Sequence, residues 1–270
     1  MKRTILITSL TIVGALVITA LSIDAADTVR GRGGTLLSSV IRSTAAGCRA
    51  GMLPIAADTM KCVDEYENSP NDSCELQDLQ NNLDTQTDLK NHACVAESVQ
   101  GVKPWVYVTR EQARELCVRA GKRLPTNIEW YELALGTPDT GDTKNCNIAT
   151  GNTEPTGSHD GCTSAVGARD TIGNAWEWTS DDVFNGTYNG RALPASGYVT
   201  QVDAGGVAVM STDTPDTAFY NDYIWSNPKG TYGIMRGGFY GSNADAGIYT
   251  LHAYTLPTTA GAAIGFRCVQ

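Results

Sequence analysis

The sequence is poor in the groups that most enzyme chemistry needs. It has three histidines, His92, His159 and His252, set far apart, so metal chemistry on clustered imidazoles has little to draw on. No Cys-x-x-Cys pair occurs, which excludes zinc-ribbon and thioredoxin-type readings. No Gly-x-Ser-x-Gly occurs either, so the serine nucleophile of a strand-to-helix elbow is missing. Positive charge is scarce: a net charge of −9 and a pI near 4.8 argue against nucleic acid, since phosphate binding needs a basic face. The one basic group, Arg110, Arg114, Arg119, Lys122 and Arg123, falls at helical spacing and reads as a solvated face.

A more informative scarcity is local. Between Phe239 and Ile264 there is no Lys, Glu, Gln, Met, Trp or Cys. The segment is built from Tyr, Thr, Ala, Ser, Gly, Asn, Asp, His and Phe, interrupted by Gly247-Ile248, Leu251 and Pro257. An AAY asparagine codon randomised at its two adenines yields all nine of those residue types and none of Lys, Glu, Gln, Met or Trp. Tyr, Ser, Gly and Asn are also the residues of antibody paratopes, where they give rigid contact area and adaptable hydrogen bonds at low entropic cost. The composition fits a binding surface, and it also fits a Gly/Thr-rich terminal hairpin. Around Leu251 the alternation of Thr250, His252 and Tyr254 predicts a strand with one face solvent-exposed and the other buried.

What is present elsewhere places the chain outside the cytosol. Lys2 and Arg3 precede Ile5–Ile23, nineteen residues without a charge. That length favours a membrane anchor over a cleaved signal peptide, and the positive end before it places the remainder outside. All eight cysteines (48, 62, 74, 94, 117, 146, 162 and 268) follow this segment, an even count that implies a disulfide framework in an exported chain. The predicted organisation is an export or anchor segment over 1–23, a glycine-rich linker over 24–47 and one folded domain over 48–270. Leu36–Ala46, within the linker, could form a helical turn or two.

Within the domain, Pro104–Val108 alternates like a strand. Thr109 and Gln112 then make a capping box, with Ala113, Leu116, Cys117 and Ala120 on one helical face and Gly121 as a stop. Thr126 and Glu129 open a second helix that turns Trp130, Leu133 and Ala134 inward and ends at Gly136. Residues 63–103 read as a long polar loop, and residues 137–233 as loops and short strands such as Gly206–Met210.

Five phrases in order carry a family resemblance: Cys62–Glu67 (Cys-Val-Asp-Glu-Tyr-Glu), Ala120–Thr126 with Glu129-Trp130, Gly173–Asp181 (Gly-Asn-Ala-Trp-Glu-Trp-Thr-Ser-Asp), Arg236-Gly237-Gly238 and Gly265–Cys268. Over about residues 48–270 the chain resembles formylglycine-generating-enzyme-type domains. The resemblance implies an α+β, decorated C-type lectin fold: a small twisted antiparallel sheet, two helices and extensive irregular loops. Enzymes of that family bind copper through a cysteine pair shortly after Arg-Gly-Gly, since thiolates suit soft Cu(I). Phe239–Arg267 has no cysteine, so no redox cofactor is expected and no catalytic residue is assigned.

The stretch 236–268 resembles instead the variable region of diversity-generating-retroelement target proteins. That resemblance implies a scaffold of Gly247, Ile248, Leu251, Pro257 and Ile264–Arg267. The implied variable sites are Phe239, Gly241, Ser242, Asp245, Thr250, His252, Tyr254, Thr255, Thr259, Gly261 and Ala263, with Phe239, Tyr240 and Tyr254 as anchors. The function implied is a surface-displayed ligand-binding protein without turnover. Its partner would be a protein or cell-surface ligand, and its membrane link the N-terminal segment. A formylglycine-generating-type oxidoreductase and a non-varying adhesive module are the alternatives.

The family resemblance also implies structural Ca²⁺, one ion at Asn174 and Glu177 and another near Asn147, Ile148, Asp160 and Cys162. Oxygen donors on irregular loops suit that ion. The alternative is that Trp176 and Trp178 are core anchors and that Asn174 and Glu177 hydrogen-bond loop backbone. Cys117 faces inward on the first helix and Cys268 ends the last strand, so a Cys117–Cys268 bond is expected. Cys146–Cys162, Cys48–Cys62 and Cys74–Cys94 are the expected remaining pairs.

Overall fold

Backbone capping decides where the helices start. In the computed structural model, which describes residues 47–270, α1 spans Asn82–Asp88, α2 Arg110–Arg119 and α3 Asn127–Ala134. Each opens on a reciprocal capping box, Asn81 with Asp84, Thr109 with Gln112, and Thr126 with Glu129, which satisfies otherwise orphaned backbone donors. Helix α2 buries Ala113, Leu116 and Cys117, and α3 buries Trp130, Leu133 and Ala134.

The first helix lies inside the stretch read from sequence as polar loop. Its Leu83 points to solvent, so it has no apolar face to betray it. Polar contacts hold it instead. Thr85 Oγ1 accepts from Trp105 Nε1 and donates to the Tyr107 carbonyl, and the Asp88 carboxylate accepts from the Glu75 and Leu76 backbone N–H groups.

The strands form one large sheet and two small ribbons. The ribbons pair β1 (Met52–Pro54) with β2 (Cys62–Asp64), and β3 (Asn68–Pro70) with β4 (Ala96–Ser98). The large sheet has nine strands: β5 (Trp176–Phe184), β6 (Thr187–Tyr188), β7 (Arg191–Ala192), β8 (Gly197–Val202), β9 (Ala208–Thr212), β10 (Tyr223–Ser226), β11 (Thr231–Arg236), β12 (Leu251–Thr255) and β13 (Ile264–Gly265). Its order is β7-β6-β5-β11-β12-β10-β8-β9, with β13 on β5. The sheet is larger than the one expected and not purely antiparallel: β10 runs parallel to β12, and β13 parallel to β5. Those parallel pairings arise because long loops, rather than hairpins, return the chain to the sheet.

Two further expectations fail. Pro104–Val108 is not a strand. Trp105 and Val108 are fully buried, but Tyr107 takes a left-handed φ of 57°, which breaks a ladder. Lys122 does not sit on a solvated face; its ammonium is buried against Asp64 Oδ1 at 2.5 Å. Arg114, by contrast, is exposed and pairs with Glu111 on its own helix.

Three apolar clusters fill the unit Gly51–Gln270. One joins α2 to the sheet through Trp105, Leu116, Trp178 and Phe266. A second lies under α3 around Trp130, Leu133, Ile172 and Ile248. The third backs the outer strands with Val183, Val199, Ile224, Ile234 and Leu251. Cys117 is bonded to Cys268, Cys146 to Cys162, and Cys74 to Cys94. Cys48 and Cys62 are disulfide-bonded as well. A chain with every cysteine oxidised belongs to an oxidising, exported environment. The anchor segment over 1–23 and the linker as far as residue 46, including all of Leu36–Ala46, lie outside the described residues. Among the described residues no helix is long and apolar enough to cross a membrane.

Candidate binding face

Period-two geometry sorts the side chains of β12. Leu251 and Ala253 are fully buried, while His252 is partly buried and Tyr254 is 54% exposed. The parallel neighbour β10 matches it rung for rung, Ile224 beside Leu251 and Trp225 beside His252. Apolar side chains thus fall on one face of the sheet and rings on the other.

On that second face the rings join into a strip. Tyr198 and Tyr223 meet edge to face at 5.1 Å, Tyr223 and Trp225 lie tilted to one another at 4.6 Å, and Trp225 stacks on His252 at 5.6 Å. Trp176 then contacts His252 at 5.4 Å and Trp225 at 5.6 Å, and stacks on Phe239 at 6.3 Å, which meets Tyr240 at 5.1 Å. Except for Trp176, every member is partly exposed. Burial lowers the His252 pKa to about 4, so the imidazole is neutral at physiological pH. Tyr254 stands in a separate stack on Tyr232 at 5.9 Å.

The segment after Arg-Gly-Gly reaches the strip because its base is held rigidly. Gly238 has a φ of 87°, and a Cβ there would lie 2.5 Å from the Ala246 Cβ. Arg236 is fully buried; it donates to the Ile248 carbonyl at 2.6 Å and lies over the Trp130 ring at 5.1 Å. Near 250 the expected surface differs. Thr250 is fully buried, donating to the Asp245 carbonyl and accepting from Tyr223 N–H, and Ser242 is buried, accepting from Phe239 N–H. Both therefore serve the loop and not the surface. Gly241, Tyr254 and Thr259 are exposed; Phe239, Tyr240, Asp245, His252, Thr255, Gly261 and Ala263 are partly buried. Gly261 also accepts from Tyr107 N–H through its carbonyl.

Four of the seven rings in the strip lie outside the C-terminal segment. Trp176, Tyr198, Tyr223 and Trp225 were not among the sequence candidates for the surface. The alternation of Tyr223, Ile224, Trp225 and Ser226 is a period-two signal that could have found two of them.

The expected calcium ligands are otherwise engaged. Both carboxylate oxygens of Glu177 accept from the Arg267 guanidinium, and one also accepts from Trp130 Nε1 at 2.6 Å. A cation at Glu177 would have to share these oxygens with a buried guanidinium, so the contacts seen for this residue are those of a salt-bridge partner. Asn174 Oδ1 accepts from Asn147 Nδ2 and Glu154 N–H, while its Nδ2 donates to Glu67. Cys162 Sγ is bonded to Cys146. The carbonyls of Asn147, Ile148 and Cys162 each accept one backbone N–H, and Asp160 lies exposed beside Arg169 at 3.3 Å. A carbonyl keeps a second lone pair, so this group, unlike Glu177, retains oxygen capacity.

Around Arg267 the carboxylates crowd. Glu67 is pushed well up by burial and by the charges of Asp170 and Glu177, and burial raises Asp170 to about 6. Among the described residues, three His, Cys, Asp or Glu ligand atoms gather within 4.8 Å at Cys74, Asp88 and Cys94, where the two sulfurs are already a disulfide.

Residues 56–270 match the sulfatase-modifying factor enzyme 1-like domain. The chain belongs to that family. As a member of the sulfatase-modifying factor enzyme 1-like family it carries the α+β, C-type lectin-like architecture described above. It is 31% identical over 156 residues to hercynine oxygenase of Mycolicibacterium smegmatis, covering 53% of this chain and 31% of that enzyme. To hercynine oxygenase of Mycobacterium tuberculosis it is 29% identical over 98 residues, covering 31% of this chain and 23% of the enzyme. The chain thus matches less than a third of either relative's length. Among solved structures it is similar to the U1 variant of the major tropism determinant (TM-score 0.43, 18% identity, 82% of this chain and 55% of that one). Treponema denticola variable protein 1 is similar at TM-score 0.42 and 15% identity, over 81% of this chain and 94% of that one.

Proposed function

We propose that this chain is a surface-displayed ligand-binding protein whose C-terminal segment is diversified to recognise changing targets, protein or cell-surface. The observation that carries the reading is the aromatic strip. Phe239 and His252, with Tyr240 packed on Phe239, come from the restricted-alphabet segment, and the first two contact a platform of Trp176 and Trp225, extended by Tyr223, contributed by the rest of the domain. Partly exposed rings on a rigid sheet give large contact area at low entropic cost and supply anchors for binding. Codons of the exposed sites would then change without touching Leu251, Ile264 or Phe266, which are buried.

An oxidoreductase is the rival, since the family name and the distant relatives are enzymatic. The two catalytic arrangements that the family resemblance brings are a cysteine pair and clustered imidazoles. Every cysteine is oxidised here, and His159 pairs with Glu154 while His252 lies between two tryptophans.

Substituting Tyr254 or Thr255 by Ala is expected to change stability by no more than about 0.5 kcal/mol, the range for surface sites, whereas Leu251→Ala should cost about 2–5 kcal/mol. Chemical denaturation measures both; equal losses would make the segment an ordinary buried strand. Sequencing the 236–268 coding stretch across a population tests diversification directly. Changes confined to codons of the ring face support it, and invariance leaves the adhesive module.

Structural Ca²⁺ remains part of the proposal only for the loop of Asn147, Ile148, Asp160 and Cys162. Thermal melting should then fall when chelator is added to wild type and to Asp160→Asn by different amounts. Glu177→Gln should lose the same stability with or without calcium. A chelator-insensitive wild type would remove the ion.

A further inference from the structure

Beneath the binding face, two acidic side chains hold one loop. Asp139 follows α3, and Asp222 precedes β10. Asp139 Oδ2 accepts from Ile248 N–H at 2.9 Å, and Asp222 Oδ2 accepts from Tyr249 N–H at 2.6 Å. The carboxylates also touch one another's space. A Cβ on Gly247 would collide with Asp222 Oδ1 and lie 2.5 Å from Asp139 Oδ2, which places both groups against one point of the backbone and explains a glycine there. Asp222 is fully buried and Asp139 nearly so. Among the described residues, Asp139 Oδ1 and Asp222 Oδ1 have no hydrogen-bond donor.

Two ionised carboxylates cannot share a dry site without one binding a proton. A single proton supplies what both orphaned oxygens need, an O–H on one and an acceptor on the other. It also leaves one negative charge facing the one buried cation nearby, Arg236. The other titratable groups around this cluster are tyrosines and a more distant acid: Tyr249 on the loop, Tyr131 from α3, Tyr220, Tyr188 and Asp203.

We propose that Asp139 and Asp222 form a proton-sharing carboxyl pair that latches the Ala246–Thr250 loop, and with it the start of the binding strand, releasing it when the shared proton is lost. Burial and mutual charge agree with the geometry: burial raises Asp139 to about 7, and Asp222 is pushed well up by burial and by the charge of Asp139. The folded state holds the proton that the unfolded chain releases at the ordinary Asp value. The contribution is therefore fully present below that value and is lost as pH rises through about 7.

The test uses Asp139→Asn, whose amide can donate to Asp222 as the protonated acid does and still accept from Ile248. In wild type the Ile248 and Tyr249 amide resonances should titrate together near neutral pH. The unfolding constant should rise by up to about tenfold per pH unit between the ordinary Asp range and neutrality, the signature of one linked proton. Asp139→Asn should flatten that rise relative to wild type and abolish the amide titration; the Arg267 carboxylates contribute equally to both proteins and cancel. If Asp139→Asn does not fold, Asp222→Asn is read against the same wild-type curve. Parallel pH curves for wild type and variant overturn the proposal. So does movement of the same two amides on adding Ca²⁺ that chelator reverses, because a cation, not a proton, would then bridge the oxygens.

Discussion

Arg267→Met is expected to destabilise the protein by about 3–5 kcal/mol, the cost of breaking a buried ion pair from one side. The guanidinium is fully buried. Its Nε donates to both Glu177 oxygens at 2.8 and 2.7 Å, and Nη2 donates to Glu177 Oε1 at 2.5 Å and to the Arg169 carbonyl at 2.6 Å. Glu67 and Asp170 stand beside it with their pKa values already raised. Removing Arg267 leaves three buried carboxylates to face one another. The folded-state pKa values of Glu67 and Asp170 should rise further, so the penalty is largest at neutral pH and shrinks as these groups protonate toward pH 5. Denaturant titrations of wild type and Arg267→Met at the two pH values measure this. A deficit that does not depend on pH would mean that lost packing, not uncompensated charge, is the cause. Arg267→Lys should recover only part of the loss, since an ammonium cannot reproduce the planar fork.

Replacing Cys117 and Cys268 together by Ala should cost roughly 4–5 kcal/mol on the chain-entropy account, less any strain the bond holds in the native state. The bond closes 151 residues of chain and ties α2 to the strand-like end of the molecule, where the Cys268 N–H also donates to buried Asp64 at 2.9 Å. By comparison, Cys74–Cys94 closes 20 residues and Cys146–Cys162 closes 16, so their removal should cost less. The ordering of the three double variants in thermal melting is the check. If the long bond is the least costly of the three, loop entropy is not what it contributes.

Features set by neighbouring residues were legible in the sequence. Thr109 with Gln112 and Thr126 with Glu129 make their capping boxes across a single helical turn, so α2 and α3 begin where the residues say. Around Leu251 the two-residue period likewise sorts Leu251 and Ala253 from His252 and Tyr254, because a strand alternates its side chains whatever it pairs with. The same rule misled at Pro104–Val108, where a left-handed Tyr107 replaces the strand, and at Thr250, which lies one residue before β12 and answers to the loop's hydrogen bonds.

What depends on distant segments meeting was decided only by the tertiary structure. Glu177 and Asn174 carry the oxygens a calcium ligand needs, and only closure of the chain shows that Arg267 has taken Glu177 and that Glu67 and Glu154 have taken Asn174. The strip of rings depends on the parallel register of Trp225 with His252, which no local spacing encodes. Asp139 and Asp222 lie far apart in the sequence; burial against one glycine makes them a pair. Local sequence determines backbone conformation because caps and periodicity act over a few residues. Charge pairing, proton affinity and the extent of a surface depend on which atoms exclude water from one another, and that is settled when the sheet closes.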